Sequence, residues 1–329
     1  MCGEHAARGG ARWGTHTDGI WMATRDRLGS YCLDPVGFCD CAYRAAGVRL
    51  ANRWPNCYRI CLPLDENGPM PKSLSAFLAR NSVVSSDELP LVHSTKSYNL
   101  RLMIDTGDIT PQPCDVFKGD DLNYFFVGRP AYKYHSDSGT AESWELPCCF
   151  IFEAASVGNV KRIFPFDSGA FKKRLYPSYI NSMPISEFEV QGYDAIGKII
   201  GSFFGSAKRY FDLKPKNVDQ FNNEFSLNPF DAEIQATMKL AGETTPNTFD
   251  DRRFCIEVQT DQSLKLESAK ILAVVLPEIY LDIDSVRDRI QNEWNAEPIG
   301  YQMYSLSVSN YHSLIYKEIH DFYKRQNFL

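Results

Sequence analysis

Beyond residue 70 the apolar positions fall into short runs separated by polar or Gly/Pro turns, and the spacing within each run separates strands from helices. Leu89-Pro90-Leu91-Val92-His93 reads as a strand, followed by a small polar turn, Ser94-Thr95-Lys96-Ser97. Leu100, Met103 and Ile104 then recur at helical spacing up to Gly107, a C′ residue. Leu122–Val127 and Cys148–Phe152 are aromatic-rich and strand-like. Ile196, Ile199, Ile200, Phe203, Phe204, Ala207 and Phe211 mark one face of a single amphipathic helix between Asp194 and Phe211. Asn228-Pro229 supplies an N-cap with Pro at N1 for a helix through Ala232, Met238 and Leu240. Strands at Phe254–Val258 and Ile271–Leu276 follow, then helices around Val286-Ile290-Trp294 and Tyr311-Leu314-Ile315-Phe322. The pattern predicts an α+β fold.

Composition adds a boundary. Residues 1–69 hold six of the ten cysteines (Cys2, Cys32, Cys39, Cys41, Cys57, Cys61) and eight arginines but no lysine, whereas all 16 lysines lie in 70–329. The change falls at Asn67-Gly68-Pro69-Met70-Pro71, where Gly and Pro break regular structure. Residues 1–69 read as an atypical N-terminal extension, non-native or disordered, with Met70 a candidate natural start. Cys39-x-Cys41 and Cys57-x-x-x-Cys61 could supply four thiolates to zinc, but only the second pair has a usual knuckle spacing, so reduced, incidental cysteines and no metal site are expected. Charged residues through the first 30 positions leave no signal-peptide run, and no stretch reaches the ~18 apolar residues of a membrane span. A soluble, cytoplasmic protein without a membrane partner is the expectation.

The net charge of −6 argues against a surface that binds polyanions everywhere. Its distribution is uneven. Lys161–Lys216 contains ten Lys/Arg against five acids, hence +5 within a −7 body, and 11 of its 56 residues are aromatic. Basic side chains interleaved with aromatics suit phosphate neutralisation and base stacking; the alternative is that Phe203, Phe204 and Phe211 are core and the charges solvated.

Three stretches carry candidate chemistry. His93 ends a strand beside the hydroxyls of Ser94 and Thr95. The strand Tyr124-Phe125-Phe126-Val127 runs into Gly128-Arg129-Pro130, which would hold an arginine in place to fork a carboxylate or phosphate, and Tyr132 follows. The charged turn Asp250-Asp251-Arg252-Arg253 leads into Phe254-Cys255-Ile256-Glu257-Val258, where alternation puts Cys255 and Glu257 on one face and Phe254, Ile256 and Val258 on the buried one.

Together these resemble the ADP-ribosyltransferase fold, and within it the DarT-like nucleic-acid ADP-ribosyltransferases, over about residues 89–277. His93-Ser94-Thr95 followed by Asn99-Leu100, Ile104 and Gly107 resembles the family's first strand and helix. Phe125 to Tyr132 resembles its aromatic Arg-Pro-Tyr strand, one residue short between Arg129 and Pro130. Ile256-Glu257-Val258-Gln259 resembles the strand bearing its acid. The long stretch before that strand, with its basic, aromatic insert at about 161–216, departs from the family.

The resemblance implies a split mixed sheet with flanking helices, NAD as substrate and no metal. Glu257 would stabilise the oxocarbenium-like ribose and Arg129 would contact pyrophosphate or help deprotonate the acceptor. His93, Ser94 and Thr95 would bind NAD, with Tyr124 or Tyr132 stacking on nicotinamide. Asp251, Arg252 and Arg253, with the basic Lys172, Lys173 and Arg174, would contact a DNA or RNA acceptor. Glu233, on an ordinary helix face, is the rival acid. A bacterial toxin or phage-defence effector with an antitoxin partner is the implied setting; plain NAD hydrolysis and non-enzymatic nucleic-acid binding are the alternatives.

Overall fold

A computed structural model describes residues 73–131, 140–243 and 254–329, together with two short N-terminal strands. The chain divides into two units, Met1–Glu66 and Asn67–Leu329. In the first, β1 (Met22–Arg25) and β2 (Tyr31–Asp34) form an antiparallel hairpin. In the second, α1 (Ser73–Arg80) precedes β3 (Leu91–Lys96) and α2 (Ser97–Thr106). Then come β4 (Asp108–Ile109), β5 (Gln112–Pro113), β6 (Asp121–Val127), β7 (Pro147–Phe152) and β8 (Val160–Phe164). Between β8 and β9 (Glu257–Thr260) lie α3 (Ser168–Lys172), α4 (Ser178–Asn181), α5 (Asp194–Phe203), α6 (Ala207–Phe211), α7 (Val218–Glu224) and α8 (Ala232–Ala241). The short β10 (Leu264–Lys265), then β11 (Ile271–Pro277), α9 (Glu278–Leu281), α10 (Asp284–Asp288), β12 (Glu297–Tyr301) and α11 (Val308–Arg325) follow.

The fold is α+β: an eight-stranded mixed sheet flanked by helices, in the order β12-β11-β7-β3-β6-β9-β8, with β5 beside β6. Only β11 and β12 pair in parallel among the described strands. Alternation along each strand feeds two cores. Leu91, Phe125, Phe150, Val258 and Val274 face α1, α2, α5 and α8 through Phe77, Leu100, Ile199, Phe203 and Met238. Val92, Cys149, Ile151, Ala273 and Val275 face α11 through Tyr311, Ile315 and Ile319. On that second side the β8 end of the sheet is covered instead by Phe166, Phe171 and Phe188. Each such side chain contributes roughly 1.5–3 kcal/mol on burial.

One junction in the sheet is incomplete. β3 and β6 pair only through Leu91–Val127 and Val92–Phe126, whereas β3 pairs with β7 over all six of its residues. Beyond Val92 the ladder to β6 stops, and the sheet opens between the two strands.

Local departures from the sequence pattern have local causes. Ser94–Lys96 continue β3 instead of turning, because they pair with Pro147–Cys149 of β7. The predicted helix from Asp194 to Phe211 breaks in two at Gly205, whose φ of +87° lies in the left-handed region, and Ser206 caps the second helix by accepting from the Arg209 N–H. Asn228 does not open α8; its side chain accepts from Phe230 N–H in a turn, and the helix begins at Ala232. β8 and β12 lack a clear apolar alternation and arise from their pairing to β9 and β11.

The break at Gly205 matters because it aims Tyr210 at the sheet. Its buried hydroxyl donates to Val127 carbonyl at 2.9 Å and accepts from Ile256 N–H at 3.0 Å, bridging β6 to the chain entering β9. Tyr210→Phe keeps the ring but leaves the Ile256 donor without that partner in a dry site, at a cost of about 1–3 kcal/mol. Chemical denaturation should show a lowered midpoint at unchanged slope; an unchanged midpoint would count against the bridge.

Candidate functional site

β9 opens at Glu257, which register places between Phe126 of β6 and Phe164 of β8. Phe254, Ile256 and Val258 join the larger core while Cys255 packs with Phe126 on the opposite face, the division that the alternation implies. That opposite face is itself covered, and Glu257 is only 1% exposed. An ionised group so placed needs donors. Ser168 supplies two, its backbone N–H to Oε2 at 3.0 Å and its hydroxyl to Oε1 at 2.7 Å. Gln259, two residues along the same face, donates its amide to Oε1 at 2.6 Å and to the Ser168 hydroxyl oxygen at 3.2 Å. Asp167 adjoins this group and caps α3 by accepting from the Ala170 N–H at 2.7 Å. Burial, and after it the charge of Asp167, push the Glu257 carboxyl up to about 8, against the pull of the Ser168 and Gln259 donors.

Tyr124 lies opposite Gln259 on the same sheet face. Its hydroxyl is 2.8 Å from the Cys114 thiol, and burial, that bond and the Glu257 charge all hold the phenol protonated. Ser94 shares this face, 3.3 Å from the Cys149 thiol. Arg129 is reached through Gly128, whose φ of +65° and N–H bond to Pro90 carbonyl (2.7 Å) fix the turn; a Cβ there would lie 2.8 Å from Leu89 Cδ1. The guanidinium is buried, donates to Phe254 carbonyl at 3.2 Å and lies 5.7 Å from the Tyr316 ring of α11. It is thus tied to the entrance of β9 and does not project outward as a free fork.

His93 and Thr95 take the other face of β3. His93 pairs with Phe150 and its ring lies 5.5 Å from that of Phe125. Its Nδ1 donates to the Tyr124 carbonyl at 2.9 Å, across the gap where the β3–β6 ladder has stopped, which leaves Nε2 as acceptor. Desolvation lowers the imidazole below its ordinary value, outweighing that bond, so the ring is neutral at physiological pH. Thr95 accepts from the Asn99 side chain at 2.8 Å. The structure therefore gathers Glu257, Tyr124, Ser94 and Arg129 on one side of the sheet and sets His93 at the split.

Glu233 stands in the first turn of α8, half-buried, without a hydrogen bond or ion pair to its carboxylate among the described residues. Tyr132, Asp251, Arg252, Arg253 and the Cys39, Cys41, Cys57 and Cys61 set lie outside the described residues. Among the described residues no group of acidic, His and Cys side chains could hold a metal ion, and no helix is long and apolar enough to cross a membrane.

The basic segment resolves into two parts. Its aromatics Phe164, Phe166, Phe188, Phe203, Phe204 and Phe211 are buried, so they pack the cores and cannot stack on bases as their interleaving suggests. Lys161 meets Asp120 and Asp261, Lys198 meets Asp194, Lys208 and Lys214 meet Asp212, and Lys216 meets Glu224. Lys172, Lys173 and Arg174 are exposed and make no ion pair among the described residues; they close the short helix that begins at Ser168. Two small surface clefts, one along Ser75, Ala79 and Lys198 and one along Asn159, Gln262 and Leu264, include neither Glu257, Arg129, His93, Ser94 and Tyr124 nor the exposed Lys172, Lys173 and Arg174.

Gln259 was within reach of the period-two pattern, since it shares the Glu257 face. Asp167 and Ser168 were not, because their place depends on β8, a strand with little sequence signal. Comparison of the chain with protein-family models, curated proteins and solved structures finds no match.

Glu257 binds its proton more tightly folded than its ordinary value of 4.5, so its contribution to stability is complete below about 4.5 and is lost as pH rises through about 8. Glu257→Gln removes this dependence. Thermal unfolding followed from pH 5 to 9 should show the wild type losing ground to the variant as pH rises; parallel curves would refute the assignment.

Proposed function

We propose that the chain is an NAD-dependent mono-ADP-ribosyltransferase that transfers ADP-ribose to nucleic acid, with an ADP-ribosyltransferase-like sheet. The observation that carries this reading is the adjacency of the three motif-bearing strands. β3 with His93, β6 leading to Arg129, and β9 with Glu257 are consecutive neighbours in the sheet although far apart in sequence. The end of the β3–β6 ladder at Val92 also supports it, since His93 lies at that junction and Ser94 and Tyr124 flank it on the Glu257 face.

In this reading NAD enters the opening and Ser94 and His93 Nε2 bind its ribose or amide groups. Arg129 fixes the pyrophosphate side or the acceptor, and ionised Glu257 bonds a ribose hydroxyl as positive charge develops at the anomeric carbon. Cleavage of the carbon–nitrogen bond sends its electron pair to nicotinamide, and the acceptor's lone pair forms the new bond as it loses a proton. Contact with the ribose requires displacement of the groups that cover Glu257, which is 1% exposed. The exposed Lys172, Lys173 and Arg174 supply phosphate contacts for the acceptor, and a toxin or phage-defence role follows from blocked replication or translation.

Incubation with labelled NAD and nucleic acid, followed by nuclease or protease digestion, should place the label in the nuclease-sensitive fraction. Glu257→Gln should lower turnover by about 10²–10³. Because Glu257 must be ionised, the wild-type rate should rise with pH through about 8. Reversing Lys172, Lys173 and Arg174 to Glu should abolish labelling and its salt dependence. Label released only as free ADP-ribose would favour NAD hydrolysis; no nicotinamide release under any condition would end the enzyme reading.

A further inference from the structure

Resting on Glu257 as the acid that meets the ribose, the geometry points to a role for two residues that no motif marks: Asp167 and Ser168, at the turn from β8 into α3, are positioning residues that set the orientation and charge state of Glu257. Ser168 grips both carboxylate oxygens, one through its backbone and one through its hydroxyl. With Gln259 it closes a triangle, each side of which is a hydrogen bond. Three donors thus hold the two oxygens in place. Positions held to this tolerance govern rate, since a misplacement of ~1 Å can cost 10²-fold.

The two residues act in opposite senses on the proton. The Ser168 hydroxyl stabilises the ionised carboxylate, whereas the charge of Asp167 favours its protonation. Other polar groups around Glu257 do not replace them. Gln259 is neutral, Tyr124 stays a phenol bonded to Cys114, Cys255 is a buried thiol, and Arg162 of β8 is engaged by Asp120. Phe126 and Phe164 close the remaining sides with hydrocarbon. A structural serine at a helix start would need only its capping neighbour. Ser168 instead directs its donors across the strands to an acid 89 residues distant in sequence.

Carbon-13 NMR titration of the glutamate carboxyls tests this without reference to activity, the Glu257 resonance being identified by its loss in Glu257→Gln. Asp167→Asn, which keeps a capping side chain, should move the Glu257 midpoint to lower pH. Ser168→Ala should move it to higher pH, and Ser168→Thr should return it toward the wild type. The pH limb of NAD consumption should follow the same order, with Ser168→Ala lowering kcat by about 10²-fold and changing KM little. Midpoints that stay fixed, or move together, overturn the proposal whether or not NAD is consumed. Midpoints that separate as described in a protein that consumes no NAD uphold the positioning role and defeat the transferase reading instead.

Discussion

A carboxylate in the middle of a sheet, with phenylalanines to either side, is an expensive arrangement, and much of the second unit can be understood from what makes it tolerable. The isolated charge would cost far more than a domain's entire stability margin, so it must be neutralised or surrounded by donors. Both occur here. Burial and Asp167 shift Glu257 toward its protonated form, while Ser168 and Gln259 satisfy its oxygens. Gln259 comes from β9 itself, whereas the Ser168 donors are in place because β8 pairs with β9 in the observed register and leads into the turn that carries them. The register is thus fixed twice, by Ile163 and Val258 in the core and by a polar cluster that no one-residue slip could preserve.

The same logic explains why the sheet is strong on either side of its opening and weak within it. β3–β7–β11 and β6–β9–β8 are each paired over four or more positions, with a register shift in β11 and another in β8, whereas between them two residue pairs, the Gly128–Pro90 bond and a histidine–carbonyl bond make the join. An imidazole standing in for a backbone donor keeps the Tyr124 carbonyl satisfied while the strands diverge.

Much of this architecture was legible in the sequence. Strong apolar runs at Leu122–Val127, Cys148–Phe152 and Ile271–Leu276 identified central strands, and Gly107 marked the end of α2 by its left-handed backbone. The facing of Glu257 against Ile256 and Val258 followed from alternation alone. What escaped was whatever depended on distant partners. Val160-Lys161-Arg162-Ile163-Phe164 carries too many charges to read as a strand until Asp120 is seen to accept both cations. The aromatics of residues 161–216 suggested a nucleic-acid surface because a helix period does not say which face meets solvent. Ser168 has no local signature for a bond to a residue so remote in the chain.

Residues 161–216 stand out in composition like a later acquisition, yet β8 lies at one end of the main sheet and Phe203 and Tyr210 fill its core. Removing them would strip β9 of its outer neighbour. The strand bearing Glu257 would then present unpaired backbone amides and carbonyls to any passing strand, the condition that invites domain swapping and fibrillar association. The segment therefore cannot have been added to a finished sheet without remaking its boundary.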